Sequence, residues 1–137
     1  MSQSAKDLVR GLYESDFFND STVLKKFLHQ DAELYWNAST GFSKMTYSDI
    51  ADMSSEMGKS FISLRSSISH LISEGDKVSA RLTYYIQTVE NPEEEVGIIH
   101  FMAIWELKDG LLYRGYQISQ PSDDDPQNND AHIRIKS

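Results

Sequence analysis

Histidine is the residue type whose ordinary pKa suits proton transfer near neutral pH, and His70 is the best placed of the four in this chain. His70 lies in an alternating stretch between Ile68 and Ile72, so the alternation predicts that all three share one inward face. On that face His70 could act as a general base. The alternative is a core or rim histidine that bonds to Ser66, Tyr84 or a backbone carbonyl, because no carboxylate is identified that would orient it.

The other histidines indicate no metal site. His29 is predicted in the last turn of a helix, where the helix dipole favours it; His100 on an outer strand face; and His132 in the C-terminal tail. The chain has no cysteine, and no His, Asp or Glu spacing is typical of metal ligation. The acidic runs near Glu93–Glu95 and Asp123–Asp125 lack the pattern of a calcium loop. We therefore expect no metal and no cofactor.

Charge and hydropathy exclude several other classes. The formal net charge of −8 opposes binding to phosphate backbones, so we expect no nucleic-acid partner. No apolar run approaches the length of a membrane span, and the first residues lack the charged and apolar regions of a signal peptide. These features predict a soluble, cytoplasmic protein with one domain over residues 1–120 and an acidic tail over 121–137.

Three helices are predicted to position any site. Ser4 is a good N-cap for the first helix, whose apolar stripe runs from Leu8 to Tyr13. A second, short helix is predicted with a stripe from Val23 to Leu28. Thr46 is a good N-cap for the third helix, with Asp49 at its third position. Its inner face is predicted to carry these side chains: Ile50, Met53, Met57 and Phe61.

The remaining elements are predicted strands. An alternating segment over 32–38 follows the second helix, and residues 39–44 are predicted to form a loop. Strands are then expected over 61–72, 78–86, 96–107 and 111–119, and residues 133–135 could add a short edge strand. We expect an α+β fold in which three N-terminal helices pack on the concave face of a strongly curved antiparallel sheet, a cone-shaped α+β barrel with an open end.

Two hairpins set the predicted register. Opposing Ile72 to Val78 would place the apolar residues of both strands on one face. Asp109-Gly110 is predicted as a tight turn, and opposing Leu107 to Leu111 would place Trp105 opposite Tyr113.

This order of elements resembles the nuclear transport factor 2-like superfamily, which includes polyketide cyclases and ketosteroid isomerases. The resemblance covers about residues 4–120 and rests on the segment Asp31–Asn37, the capped third helix and the closing hairpin around Asp109-Gly110. It implies a pocket inside the cone. The side chains predicted to line this pocket are Tyr13, Trp36, Met53, Met57, Tyr84, Phe101, Trp105, Tyr113 and Gln117, with a place in the core as the alternative for the two methionines.

The same resemblance argues against the best-known reactions of the superfamily. Isomerase chemistry needs a carboxylate base, a tyrosine and a protonated aspartate. Those positions fall near Trp36, Leu12 and Ala103, although Tyr13 is next to the second. The Asp–Arg–Asp set of the limonene epoxide hydrolases is also missing from the predicted inward positions. The aromatic residues could equally form an ordinary core.

Three functions remain open. The first is a protein that binds a hydrophobic small molecule in an apolar, aromatic-lined pocket without a catalytic constellation. The second is a polyketide cyclase-like or isomerase-like enzyme with His70 as base. The third is a protein–protein interaction module that acts through the outer sheet face. As members of the superfamily often pair through their sheets, that face also predicts a homodimer through these residues: Met102, Ile104, Tyr116 and Ile118.

Overall fold

The computed structural model describes residues 4–15, 17, 20–88, 93 and 96–121, and it describes only the backbone of residues 21, 57, 60, 62, 88 and 96. The predicted tail strand, His132 and most of the acidic loop before residue 96 therefore lie outside the described residues. The division into a domain over 1–120 and a tail over 121–137 stays a prediction.

Helix α1 spans Ala5–Glu14 and begins as predicted. The Ser4 hydroxyl accepts a hydrogen bond from the Asp7 backbone N–H at 3.2 Å, which satisfies a donor that the first turn leaves free. Its buried side chains are those of the predicted stripe: Leu8, Val9, Leu12 and Tyr13. The 3.6-residue period thus identified the inward face correctly.

Helix α2 spans Tyr47–Ser60 and is the helix predicted third in the sequence. Thr46 and Asp49 form a reciprocal capping box, in which the Asp49 carboxylate accepts from the Thr46 backbone N–H at 2.9 Å. These bonds hold the pKa of Asp49 below its usual value, with the backbone bond as the largest cause. The cap fixes where α2 begins, and Ile50 is buried one turn later.

The predicted second helix is wrong, because only a short 3₁₀ helix forms over Ser21–Lys26. Leu24 and Leu28 are both buried, which explains the helical spacing. The Phe27 carbonyl, however, accepts from the Leu112 backbone N–H at 2.8 Å, and Leu28 already pairs in the sheet. The described chain therefore has two α-helices rather than three.

Six strands form a single sheet. Their bounds are β1 Leu28–Ala38, β2 Gly41–Thr46, β3 Phe61–Glu74, β4 Lys77–Thr88, β5 Val96–Lys108 and β6 Leu111–Pro121. The order across the sheet is β2-β1-β6-β5-β4-β3, with α1 packed on β3 and β4 and α2 on β1 and β2. The α+β class is confirmed. The prediction of a barrel is wrong, because the sheet stays open. The prediction of a wholly antiparallel sheet is also wrong, because β1 and β6 pair in parallel.

Strand β2 replaces the predicted loop over 39–44. It pairs antiparallel with β1 at the sheet edge, from Glu33 opposite Thr46 to Ala38 opposite Gly41. Nearly all of its side chains are exposed. Backbone pairing rather than a buried face stabilises β2, so its side chains carry no alternating signal.

The β3–β4 hairpin differs from the predicted register by one residue. A two-residue turn with Gly75 at φ 60° pairs Ser73, not Ile72, with Val78. A bulge between Ile68 and His70 then restores the inward direction of the first half of β3. Ile72 accordingly lies on the outer face with 64% exposure.

The β5–β6 hairpin has the predicted Asp109-Gly110 turn, with positive φ angles of 54° and 78°. The expected register beyond it is wrong. Lys108 pairs with Leu111, and a bulge between Glu106 and Leu107 places Trp105 opposite Gly115. The small residue is required there, since a Cβ at position 115 would lie 2.7 Å from the Trp105 ring.

The predicted outer face of β5 and β6 is confirmed as exposed. Its large apolar side chains are Met102, Ile104, Tyr116 and Ile118. Within the described residues, no helix has the length and apolarity needed to cross a membrane.

Candidate functional site

A cavity of about 260 Å³ lies between the concave face of the sheet and the two helices. Most predicted pocket residues line it: Tyr13, Trp36, Met53, Tyr84, Phe101, Trp105 and Gln117. The other lining side chains are aliphatic or phenylalanine, and no charged residue or histidine lines the cavity among the residues that the structure describes. The chemistry of the cavity therefore rests on a few neutral polar groups.

Tyr13 and Trp105 form the most deeply buried polar contact of the cavity. The Trp105 indole Nε1 donates to the Tyr13 hydroxyl oxygen at 3.0 Å. Burial raises the pKa of Tyr13 to about 12, and the bond from Trp105 offsets part of that rise. Tyr13 therefore stays protonated near neutral pH, and its hydroxyl keeps a hydrogen to donate.

Trp36 lines the wall of the cavity beside Phe101. The Trp36 indole Nε1 donates to the Ser119 hydroxyl oxygen at 2.7 Å, which ties β1 to β6 across the sheet. The centroids of the Trp36 and Phe101 rings are 5.9 Å apart. This bond satisfies the only donor of the indole side chain, so Trp36 offers a ligand apolar surface.

Tyr84 lies beside the same aromatic cluster. Its ring makes an edge contact with Phe101 at a centroid distance of 5.5 Å and with Tyr13 at 6.4 Å. Burial, and secondarily the nearby Tyr13, raises the pKa of Tyr84 well above its ordinary value. None of the described residues forms a hydrogen bond with the Tyr84 hydroxyl.

Gln117 is the single amide side chain among the described lining residues, and it is only 7% exposed. Its cross-strand neighbours are Ala103 on β5 and Trp36 on β1. Neither side chain offers it a hydrogen-bond partner, because Ala103 is apolar and the Trp36 indole is bonded to Ser119. Among the described residues no other group bonds to the amide.

His70 does not lie at this cavity. The bulge in β3 reverses the facing of the residues after Ile68, so His70 pairs with Arg81 on the outer face and is exposed. Its Nδ1 lies 2.9 Å from the Ser69 hydroxyl. The predicted inward placement of His70 is wrong, whereas its catalytic role stays a prediction.

Tyr113 and Met57 are the two remaining residues of the predicted pocket. Tyr113 is at the bulge of β6 and lies outside the cavity, where the Arg114 guanidinium stacks on its ring at 3.9 Å. Its predicted concave placement is wrong because the bulge shifts the alternation. The side chain of Met57 lies outside the described residues.

The two other histidines that the structure describes, His29 and His100, do not line the cavity. The His29 ring is in β1 rather than in a helix, where Nδ1 accepts from the Asp31 backbone N–H at 3.0 Å. His100 is on the outer face, with Nδ1 2.7 Å from the Thr83 hydroxyl. Within the described part of the chain, no group of three His, Asp or Glu side chains could hold a metal ion.

The sequence did not identify several aliphatic lining residues as pocket residues. Leu12, Leu24 and Leu28 were expected to be core, and Leu64 was expected on an inward strand face. Ile98 and Ile99 line the cavity together because β5 is irregular opposite Tyr84 and Tyr85. In the sequence, the adjacent apolar residues Ile98 and Ile99 interrupt the alternation of β5, and this interruption was the available sign of a bulge.

Comparison with known proteins agrees with this architecture. The family profile described as SnoaL-like domain matches residues 9–115. The chain therefore belongs to the SnoaL-like domain family, which lies within the nuclear transport factor 2-like superfamily that the sequence resembles. No match among curated protein sequences reaches significance.

Solved structures share the fold at low sequence identity. IdmH from Streptomyces antibioticus, a proposed polyketide cyclase, aligns with a TM-score of 0.67 and 16% identity over 96% of this chain and 99% of its own. A proposed ketosteroid isomerase from Kribbella flavida has a TM-score of 0.61 and 14% identity over 91% and 84%. TerC, co-crystallised with polyporic acid, has a TM-score of 0.60 and 18% identity over 84% and 91%. At these identities the likeness establishes the fold alone.

Proposed function

We propose that this SnoaL-like protein binds an uncharged, largely apolar small molecule in the cavity between the sheet and the two helices. The observation that carries the proposal is a hollow of about 260 Å³ lined by neutral side chains. Protein interiors are close-packed, and an apolar void forfeits contacts that filling it would restore. For comparison, an engineered apolar cavity of about 150 Å³ binds benzene.

The absence of charged groups among the described lining residues supports a neutral ligand. An ionised ligand would lose its hydration without gaining an ion pair, which is strongly unfavourable in an apolar site. A neutral ligand would gain about 25 cal/mol for each Å² of apolar surface removed from water. The co-crystal of TerC with polyporic acid supports small-molecule binding by this fold in general.

We propose binding rather than turnover. The likeness to IdmH and to the Kribbella flavida protein is a likeness of fold, which carries over no catalytic residue. Tyr13 and Tyr84 have raised pKa values, so both are hydrogen-bond donors rather than bases near neutral pH. His70, the base of the enzymatic alternative, points away from the cavity.

A fluorescent apolar probe tests the proposal. N-phenyl-1-naphthylamine is neutral and brightens in apolar surroundings, so we expect saturable binding to the wild-type protein. Met53→Trp adds an indole at the α2 wall of the cavity and should weaken binding at least tenfold. Asp52→Trp, at an exposed position of the same helix, should bind like the wild type. Circular dichroism verifies the fold of both variants. No saturable binding, or equal binding by the two variants, would contradict the proposal.

A further inference from the structure

The amide of Gln117 is a buried polar group to which none of the described residues bonds. Two other neutral polar side chains at or beside the cavity, Tyr13 and Ser119, already have partners within the protein. Tyr13 and Ser119 each accept an indole N–H, whereas Gln117 and Tyr84 bond to none of the described residues. An amide carries two donor hydrogens and an acceptor oxygen, so it loses more hydration on burial than a single hydroxyl.

Unpaired buried amides are rare because the lost hydration is not recovered. Replacing such a group by an apolar one of similar shape is often neutral or stabilising. Gln117 therefore has no identified role in the stability of the ligand-free fold. Its position on β6, between Trp36 and the small Ala103, leaves the amide at the wall of the cavity.

We propose that Gln117 is the specificity-determining residue of the cavity and selects neutral ligands that carry a hydroxyl or carbonyl group. The inference rests on the proposed function, because it concerns the same cavity. A hydroxyl can donate to the amide oxygen and accept from the amide nitrogen, and a carbonyl can accept. A carboxylate is rejected, since no cation lines the cavity among the described residues to compensate its desolvation.

Gln117 is the stronger choice over Tyr84 as the group that recognises a single polar substituent. The amide has two donor hydrogens and an acceptor oxygen, so it loses more hydration on burial than the single Tyr84 hydroxyl. A ligand group that restores those hydrogen bonds therefore gains more at Gln117.

Isothermal titration calorimetry with three probes of equal ring size tests the inference: naphthalene, 2-naphthol and 2-naphthoate. The wild type should bind 2-naphthoate at least tenfold more weakly than 2-naphthol. Gln117→Met keeps the length of the side chain and removes the amide. It should lower the ratio of 2-naphthol affinity to naphthalene affinity at least fivefold. Gln120→Met, at an exposed position of the same strand, should leave that ratio unchanged.

The outcomes separate the inference from the proposed function. If naphthalene binds and Gln117→Met leaves the ratio unchanged, selection by Gln117 is overturned and binding in the cavity stands. If no probe binds the wild type, the proposed function fails and the inference fails with it. Thermal unfolding without ligand gives an independent reading. Gln117→Met should unfold at or above the unfolding temperature of the wild type. A lower unfolding temperature would show that the amide stabilises the ligand-free fold and would overturn the inference.

Discussion

At the scale of single residues, both tryptophans of the site donate their indole N–H groups to other side chains of the protein. Trp105 donates to Tyr13 and Trp36 donates to Ser119, so each indole is satisfied within the protein. Gly115 makes room for the Trp105 ring, because a Cβ there would also lie 2.8 Å from Leu34 Cδ1. The two indoles at the cavity therefore have fixed partners, whereas the Gln117 amide and the Tyr84 hydroxyl bond to none of the described residues.

The raised pKa of Tyr13 predicts a loss of stability in alkali. A pKa of about 12 in the folded state, against 10.0 ordinarily, means that the unfolded chain releases this proton first. The free energy of unfolding should thus be unaffected below pH 10 and fall between pH 10 and 12, by about 3 kcal/mol from this group. Urea unfolding followed by circular dichroism across that range measures the loss.

Tyr13→Phe removes this contribution, so the variant should lose less stability between pH 10 and 12 than the wild type. Tyr84, whose pKa is also raised by burial, should account for part of the remaining loss. Equal losses in the two proteins would show that Tyr13 does not ionise later in the folded state than in the unfolded chain.

At the scale of elements, the helix caps were predictable and the strand bulges were not. Ser4 and Thr46 act within one turn of chain, so their residue types are sufficient to place the starts of α1 and α2. The bulge near His70 depends on how β3 meets β4 along its whole length. Its signal is the three-residue spacing from Ile68 to Leu71, which breaks an otherwise regular alternation.

Loss of the α2 capping box should lower both the stability of the protein and its affinity for a ligand in the cavity. Thr46→Ala removes the hydroxyl that accepts from the Asp49 backbone N–H at 3.4 Å. It should lower the free energy of unfolding by about 1 kcal/mol. It should also weaken binding of N-phenyl-1-naphthylamine, because α2 carries Met53 at the cavity wall.

Ser55→Ala, at an exposed site within α2, is the matched control for Thr46→Ala and should be neutral or slightly stabilising. Urea unfolding measures the stability of both variants. If Thr46→Ala unfolds at the wild-type urea concentration, the cap contributes nothing to the start of α2.

At the scale of the whole molecule, the outer face of the sheet predicts self-association. Met102 and Ile118 are 53% and 65% exposed, and Ile104 and Tyr116 extend the same apolar patch along β5 and β6. Oppositely charged side chains border the patch, and one ion pair joins Arg114 Nε to Glu33 Oε1 at 3.3 Å. A patch of this composition can be complementary to a second copy of itself, so the homodimer stays our prediction.

Ile118→Lys tests that prediction, because it would bury a charge in the interface without a partner. Sedimentation velocity should show a dimer for the wild type and a monomer for this variant. Ser55→Lys, on α2 at the other side of the sheet, should remain dimeric. A monomeric wild-type protein at high micromolar concentration would contradict the predicted dimer.

The sequence by itself determined the α+β class, the starts of both capped helices and the inward face of β4. These features follow from local chemistry and from periods of two or 3.6 residues, which are present in the chain before it folds. The tertiary structure decided that the sheet is open, that Leu28 belongs to a strand, and that His70 and Tyr113 lie outside the cavity. It also decided that the Gln117 amide is buried and bonds to none of the described residues. Each of these depends on how whole strands pair with one another, and one bulge in a pair reverses the facing of the residues that follow it.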